Sequence, residues 1–242
     1  MKYVSVILVH YSLADDFGEV VARKCDKTRS EMLRLCIESL EMNTKYPIEL
    51  IVIDNGGSPD DSNYLLDKVR TGVINTYIRN KDNMHFGWAF NQGIALATSD
   101  IVCLTCNDIH FEENWLTETM KYWEAHSDMK LIATPFITPD KLKFKNPRGT
   151  LEDGARLNSM AGSNCMVLTK KIYEDVEPMT THHITGSHWH RRMNKKGYIV
   201  IAPPNDMVQH MAHRAGTQIR QRIKVAEQLN NGEVDFTFAY YK

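Results

Sequence analysis

Residues 80–115 read NKDNMHFGWAFNQGIALATSDIVCLTCNDIHFEENW, and the fold turns on how they are parsed. A glycine turn leads into an amphipathic helix that opens between Gly87 and Asn91. Residues 101–105 then form an apolar run short enough for a strand buried on both faces. Asn107 and Asp108 stand where that strand ends. In open α/β sheets, ligands are held at the carboxyl ends of the strands, so a polar pair at this point marks a candidate site.

Upstream, residues 4–9 are a nearly continuous β-branched run, which suits a central strand. Residues 12–28 are polar and read as a loop. Over residues 29–43, Leu33, Cys36, Ile37 and Leu40 recur at helical spacing, with Ser30 as the expected cap. A second buried strand at 49–53 ends in Asp54-Asn55-Gly56-Gly57-Ser58. Such a β-α-β unit closes right-handedly and sets both strand ends on one edge, which brings His10, Tyr11 and Asp54 together. A helix at 60–69 and a strand at 73–79 complete the approach to the opening stretch.

Downstream, the pattern gives a helix at 116–125 with Met120 and Trp123 facing the core, and a strand at 131–137. Residues 138–161 are polar, contain Gly and Pro, and show no period, as expected of a surface loop or an insertion beside the site. A strand at 164–170 and a short helix at 171–176 follow. A helix at 188–196 ends at Gly197, well placed as a C-cap residue, and the last core strand covers 198–202. The tail offers an amphipathic helix at 217–229 and an alternating VDFTFAYY, read as an edge strand or a homo-oligomer contact. The expected organisation is one α/β domain over 1–216 with an appendage over 217–242.

Composition narrows the partners. An apolar fraction of 43% is ordinary for a globular chain, and a formal net charge of −1 gives no general attraction to nucleic acid or anionic membrane. An anionic ligand must therefore be met by local groups, and nucleic acid is not an expected partner. The five cysteines, Cys25, Cys36, Cys103, Cys106 and Cys165, are odd in number and scattered, which suits a reducing compartment. Cys103 and Cys106 form a C-x-x-C inside a strand pattern and read as buried thiols, since a redox pair would open a helix. MKYVSVILVHY lacks a small-residue cleavage site and reads as a strand. No apolar run approaches the roughly 18 residues of a membrane span, and a cytoplasmic protein is expected.

Three stretches in order, VSVILVHY, LIVIDNGGSPD and RNKDNMHFGWAFNQGIALATSDIVCLTCNDIHFEENWL, resemble the motifs of the family 2 glycosyltransferases of the GT-A fold. The resemblance is close over residues 3–116 and loose over 160–213. It implies a GT-A, Rossmann-like, mixed and mostly parallel sheet flanked by helices. It also implies a nucleotide-diphosphate-sugar donor, a divalent Mn²⁺ or Mg²⁺, and inverting transfer of a hexose-like sugar to a hydroxyl of a glycan, lipid-linked or protein-linked acceptor.

Chemistry assigns roles within that frame. Tyr11 can wall a base and Asp54 can accept from its N–H edge, although Asp54 also opens an Asp-Asn-Gly turn. Gly87 and Asn91 start a helix whose amino end attracts anions, and Asn107 joins them on the donor side. Trp88 and Phe90 are expected in the core, and Asp100 in a turn. A diphosphate leaving group calls for a hard cation held by oxygen, and Asp108 supplies one. Where relatives carry an Asp-x-Asp or Asn-x-Asp-like triplet, this chain reads Cys106-Asn107-Asp108, so few protein groups would hold the ion. His210 is the expected second ligand, with His213 as its rival.

The resemblance departs further on. Relatives place Glu-Asp-x-Asp before a helix carrying Leu-x-x-Arg; aligning Arg192 and Gly197 puts Thr185-Gly186-Ser187-His188 there. The carboxylate base is absent, and His188 can take its place near pH 7, with Asp153, Glu152 and Asp175 as alternatives. His182, His183, His188 and His190 lack zinc-site spacing. A second reading is a nucleotide-sugar-binding protein that has lost catalysis. A nucleotidyltransferase would need a glycine- and basic-rich loop after the first strand, and HYSLADDFGEV offers none.

Overall fold

The strands are β1 (Val4–His10), β2 (Ile48–Asp54), β3 (Thr76–Arg79), β4 (Ile101–Cys106), β5 (Ile109–Phe111), β6 (Leu131–Ala133), β7 (Pro147–Thr150), β8 (Arg156–Asn158), β9 (Cys165–Thr169), β10 (Ile199–Ala202) and β11 (Val208–His210). The helices are α1 (Arg29–Asn43), α2 (Pro59–Arg70), α3 (Phe86–Leu96), α4 (Trp115–Ala125), α5 (Lys170–Val176) and α6 (Thr185–Lys195). These come from a computed structural model, which describes residues 2–12, 27–137, 147–158, 165–179 and 185–211.

Nine strands form one sheet in the order β3-β2-β1-β4-β9-β6-β10-β8-β7. β1, β2, β3 and β4 run parallel, and β9 is antiparallel to β4 and β6. β1 is buried throughout because it lies between β2 and β4 with helices on both faces. Val4, Val6 and Leu8 pack with Leu33, Cys36, Ile37 and Leu40 of α1, Leu65 of α2 and Leu116 of α4. Ile7 and Val9 pack on the opposite face with Ala89 and Phe90 of α3, Tyr173 of α5 and Trp189 of α6. The result is an α/β sandwich with two apolar layers, the mixed, mostly parallel sheet that the sequence leads one to expect.

Local chemistry explains the boundaries and some shifts. α1 begins after Thr28, not at a Ser30 cap: the Thr28 hydroxyl accepts from the Glu31 N–H, and the Glu31 carboxylate accepts from the Thr28 N–H. That reciprocal box needs an acid three residues after the cap, which Thr28 has and Ser30 lacks. α2 is opened by Ser58 and Pro59, in keeping with the preference for Pro at the first helical position. α3 lies unusually close to β1, because a Cβ at Gly93 would come within 2.2 Å of Ile7 Cγ2. Gly197, at φ +85°, follows α6 in the left-handed region.

Other expectations are corrected. β3 spans only four residues, since 71–75 turn before it, and β6 stops at Ala133 instead of running to 137. Within 138–161, residues 147–158 form the β7–β8 hairpin that extends the sheet beyond β10. β5 and β11, unforeseen, pair as a separate two-stranded sheet. Trp123 is only partly buried, whereas Met120 is sealed. The 217–242 appendage, with its helix and VDFTFAYY contact, lies outside the described residues. Among those described, no helix is long and apolar enough to cross a membrane.

Candidate active site

β1, β2 and β4 end side by side, with His10 in register with Asp54 and Val9 with Cys106. This common edge carries the polar residues singled out from the sequence. After β2 the chain turns through Gly56, at φ +94°, where a Cβ would stand 3.7 Å from Tyr11 Cε2. Tyr11, half-buried, therefore lies against the turn.

Asp54 is fully buried, and both carboxylate oxygens serve the fold. Oδ1 accepts from the Gly57 N–H at 2.6 Å; Oδ2 accepts from the Ser62 hydroxyl at 2.6 Å and the Tyr77 hydroxyl at 2.8 Å. Its turn-building role is thus explicit, and a base edge would have to displace one of these donors. Asn55, not singled out from the sequence, ties the turn to the loop before α3. Its Oδ1 accepts from Asn80 Nδ2 and the Met84 N–H, while its Nδ2 donates to Asn83 Oδ1. Asn80 and Gln92 exchange two amide hydrogen bonds. These amide hydrogen bonds tie the 80–85 loop to the turn after β2 and to α3; its sequence signal was the density of Asn in that loop.

The amino end of α3 is capped from within. His85, at φ +71°, accepts from the Gly87 N–H through Nδ1 at 3.2 Å. Asn91 points elsewhere: it accepts from the Tyr173 hydroxyl at 2.6 Å and donates to the Met179 carbonyl at 3.1 Å, joining α3 to the segment after α5. Phe90 is sealed in the core as expected, but Trp88 is not, being 49% exposed. At the first turn of α3 its ring faces away from the sheet, because Ala89 and Phe90 take the core-facing positions.

Asp108 and His210 meet. β5 and β11 pair with His210 opposite Ile109, the Met211 N–H donates to the Asp108 carbonyl, and His210 Nε2 lies 3.0 Å from Asp108 Oδ2. Burial pushes the Asp108 carboxyl up, but His210 and Arg29 outweigh it and hold the group below the usual carboxylate range. Oδ1 of Asp108 is buried and has no hydrogen-bond partner among the described residues. A buried anionic oxygen left bare is costly, and a hard cation would satisfy it. The donor set, one carboxylate and one imidazole, fits Mn²⁺ and, less well, Mg²⁺. Cys106 would not add a thiolate, since burial pushes its thiol up. Among the described residues no cluster of three or more His, Cys, Asp or Glu could hold an ion, so remaining positions would fall to a ligand.

Asn107 is almost fully buried; its Nδ2 faces His10 Nδ1 at 3.0 Å and the Arg29 carbonyl at 3.4 Å. Arg29, at the start of α1, is a further cation at this edge that sequence patterning did not flag. His188 lies in the first turn of α6. Of the alternative bases, Asp175 meets Lys196 at 3.4 Å, Asp153 is engaged by His126 at 2.9 Å, and Glu152 is exposed in the β7–β8 turn. His182, His183, His213 and Cys25 lie outside the described residues.

A parallel half-sheet with helices on both faces and a polar edge where β1, β2 and β4 end defines a Rossmann-like GT-A architecture. The sequence profile described as Glycosyl transferase family 2 matches residues 26–199, and the chain belongs to that family. Solved structures share the fold. The mannosyltransferase PcManGT from Pyrobaculum calidifontis, in complex with GDP-Man and Mn²⁺, aligns with TM-score 0.65 and 15% identity over 97% of this chain and 65% of its own. GalNAc-T7 with UDP, GalNAc and Mn²⁺ gives 0.62 and 11% over 93% and 47%; TarS of S. aureus gives 0.59 and 14% over 100% and 41%. The chain thus spans less than two thirds of each. No curated protein sequence matches it.

Proposed function

We propose that the protein transfers a sugar from a nucleotide-diphosphate sugar to a hydroxyl acceptor, with inversion, in the cytoplasm. The observation that carries the reading is the Asp108–His210 pair, whose carboxylate has a sealed oxygen with no hydrogen-bond partner among the described residues, at the edge where β1, β2 and β4 end. Support comes from membership of the family and from structures of the same fold that hold GDP-Man or UDP with Mn²⁺.

In this reading Asp108 and His210 hold Mn²⁺ or Mg²⁺, which when bound neutralises the charge that develops on the departing diphosphate. Tyr11 walls the base. Asp54 shapes the turn beneath it, because both its oxygens are engaged there. Gly87 sets the close approach of α3, and Asn107 binds the donor. Asn91 positions α3 against the segment after α5. Arg29, whose charge reaches Asp108, adds a cation beside the diphosphate. His188, at the start of α6, takes the acceptor proton as the hydroxyl attacks the anomeric carbon. The acceptor is a glycan or a lipid- or protein-linked hydroxyl.

The test is to incubate the protein with UDP-, GDP- and dTDP-sugars, Mn²⁺ and simple glycosyl acceptors, and to assay released nucleotide. Release that requires both metal and donor supports transfer; no release with any donor sinks it. The second reading, donor binding without transfer, is favoured by Thr185-Gly186-Ser187 standing where relatives carry acids. Calorimetric donor binding with no turnover would select it.

A further inference from the structure

His10 is the last residue of β1, completely buried, and its ring touches elements from three directions. Nε2 lies 3.3 Å from Asp61 Oδ2, and Nδ1 lies 3.0 Å from Asn107 Nδ2. Asp61, itself sealed at the start of α2, also accepts from the hydroxyls of Ser30 and Ser58 and from the Arg34 guanidinium. The ring is hemmed in besides, because a Cβ at Gly57 would come within 2.8 Å of its Cδ2 and Nε2. α2, the β2–α2 turn and the residue before Asp108 thus meet at one imidazole, and α1 is tied to it through Asp61.

The proton positions follow from the partners. Asn107 Nδ2 also faces the Arg29 carbonyl, a pure acceptor, so this branch of the amide must be the NH₂ and not the oxygen. His10 Nδ1 therefore accepts, and Nε2 carries the hydrogen that is donated to the Asp61 carboxylate. With its NH₂ fixed on both sides, the Asn107 amide has one orientation. Its oxygen, turned away from His10 and Arg29, accepts no hydrogen bond from any described residue. This oxygen sits one residue before Asp108, at the carboxyl end of β4.

We infer that His10 is a positioning residue for donor binding: held by Asp61 in its Nε2–H form, it clamps the Asn107 amide so that Oδ1 meets a hydroxyl or N–H of the bound nucleotide. The inference rests on the donor-binding part of the proposed function. A wrongly oriented amide would present its NH₂ instead, so the clamp decides whether the site accepts or donates at that point.

The test uses the full chain, with UDP, GDP and dTDP in the presence of MnCl₂ as calorimetric probes and thermal unfolding as a control for folding. His10→Phe keeps a ring but has no nitrogen, and should weaken the best-bound nucleotide by about tenfold, the scale of one lost hydrogen bond. His10→Asn places an oxygen near the position of Nδ1 and should restore most of that loss. Asn107→Ala should match His10→Phe, and the double variant should be no weaker than either single one, because both remove the same contact. A purely structural His10 would lower thermal stability in both His10 variants and leave affinity unchanged, which would overturn the inference; so would additive losses in the double variant. ¹⁵N NMR of the His10 ring supplies a readout independent of nucleotide: hydrogen on Nε2 alone is expected, and hydrogen on Nδ1 overturns the clamp. If the wild type binds no nucleotide, donor binding fails as a function, and the ring spectrum still decides the orientation of Asn107.

Discussion

His210 Nε2 lies 3.0 Å from Asp108 Oδ2 across 102 residues of sequence. Neither residue is placed by local chain geometry alone; the β5–β11 pairing joins them. Asp108→Ala should lower Mn²⁺-dependent nucleotide affinity by about 100-fold and His210→Ala by about tenfold, measured by calorimetry with and without EDTA. Equal affinities with and without metal in the wild type would remove the metal from the site.

Asp61 gives the stability curve a sign. Burial pushes its carboxyl up, but hydrogen bonds from His10, Ser12 and Ser30 more than offset this and depress it strongly. The unfolded chain, with an ordinary value of about 3.9, takes up the proton first as the medium acidifies. The stabilisation is therefore complete above about pH 5 and is lost as pH falls below about 4. Asp61→Asn should cost about 2 kcal/mol at pH 7 and show a flatter decline between about pH 5 and 3. Urea unfolding at several pH values checks this, and parallel curves for the two proteins would refute it.

Gly93 faces the central strand with no room to spare. Gly93→Ala would set a methyl 2.2 Å from Ile7 Cγ2 and should cost about 2 kcal/mol through overpacking. Ile7→Ala in the same chain should make the two costs sub-additive. Chemical denaturation of the four variants of the cycle measures the coupling, and strict additivity would contradict the packing described.

Two aromatic residues two positions apart in α3, Trp88 and Phe90, should behave oppositely. Phe90→Ala should destabilise by about 4 kcal/mol because it empties a sealed position, whereas Trp88→Ala should stay within about 1 kcal/mol. Thermal melts compare them directly. A large cost at Trp88 would mean that its half-exposed ring is packed against something else.

Much of this architecture could be read from residue patterns. β1, α1, β2, α2, α4, β9 and β10 announce themselves by continuous apolar runs or helical spacing, and the convergence of His10 with Asp54 follows from parallel pairing. The short elements did not. β5 and β11 have three residues each, too few for any period, and exist because each pairs with the other. The β7–β8 hairpin was concealed by its Gly, Pro and charged residues. Trp88 shows the limit of hydrophobicity as a guide, since size and apolarity do not say which side of a helix faces the sheet. The Thr28–Glu31 box could have been read from spacing, and Ser30 drew attention away from it. For Asp54 the sequence named a residue at the right edge, yet only the structure shows that Gly57, Ser62 and Tyr77 take its oxygens.

The β5–β11 pairing also has a bearing on the order of assembly. Most of the sheet can form before residue 208 is reached, since β1, β2, β3 and β4 lie within the first 106 residues and β10 ends at Ala202. With β9 and β10 already in the sheet, only residues 203–207 separate Ala202 from β11, so docking β11 closes a short loop at little further chain-entropy cost. A chain emerging from the ribosome would therefore build its core first and bring His210 to Asp108 late, so that, under the proposed metal assignment, competence to hold a cation would mark the completed β5–β11 pair.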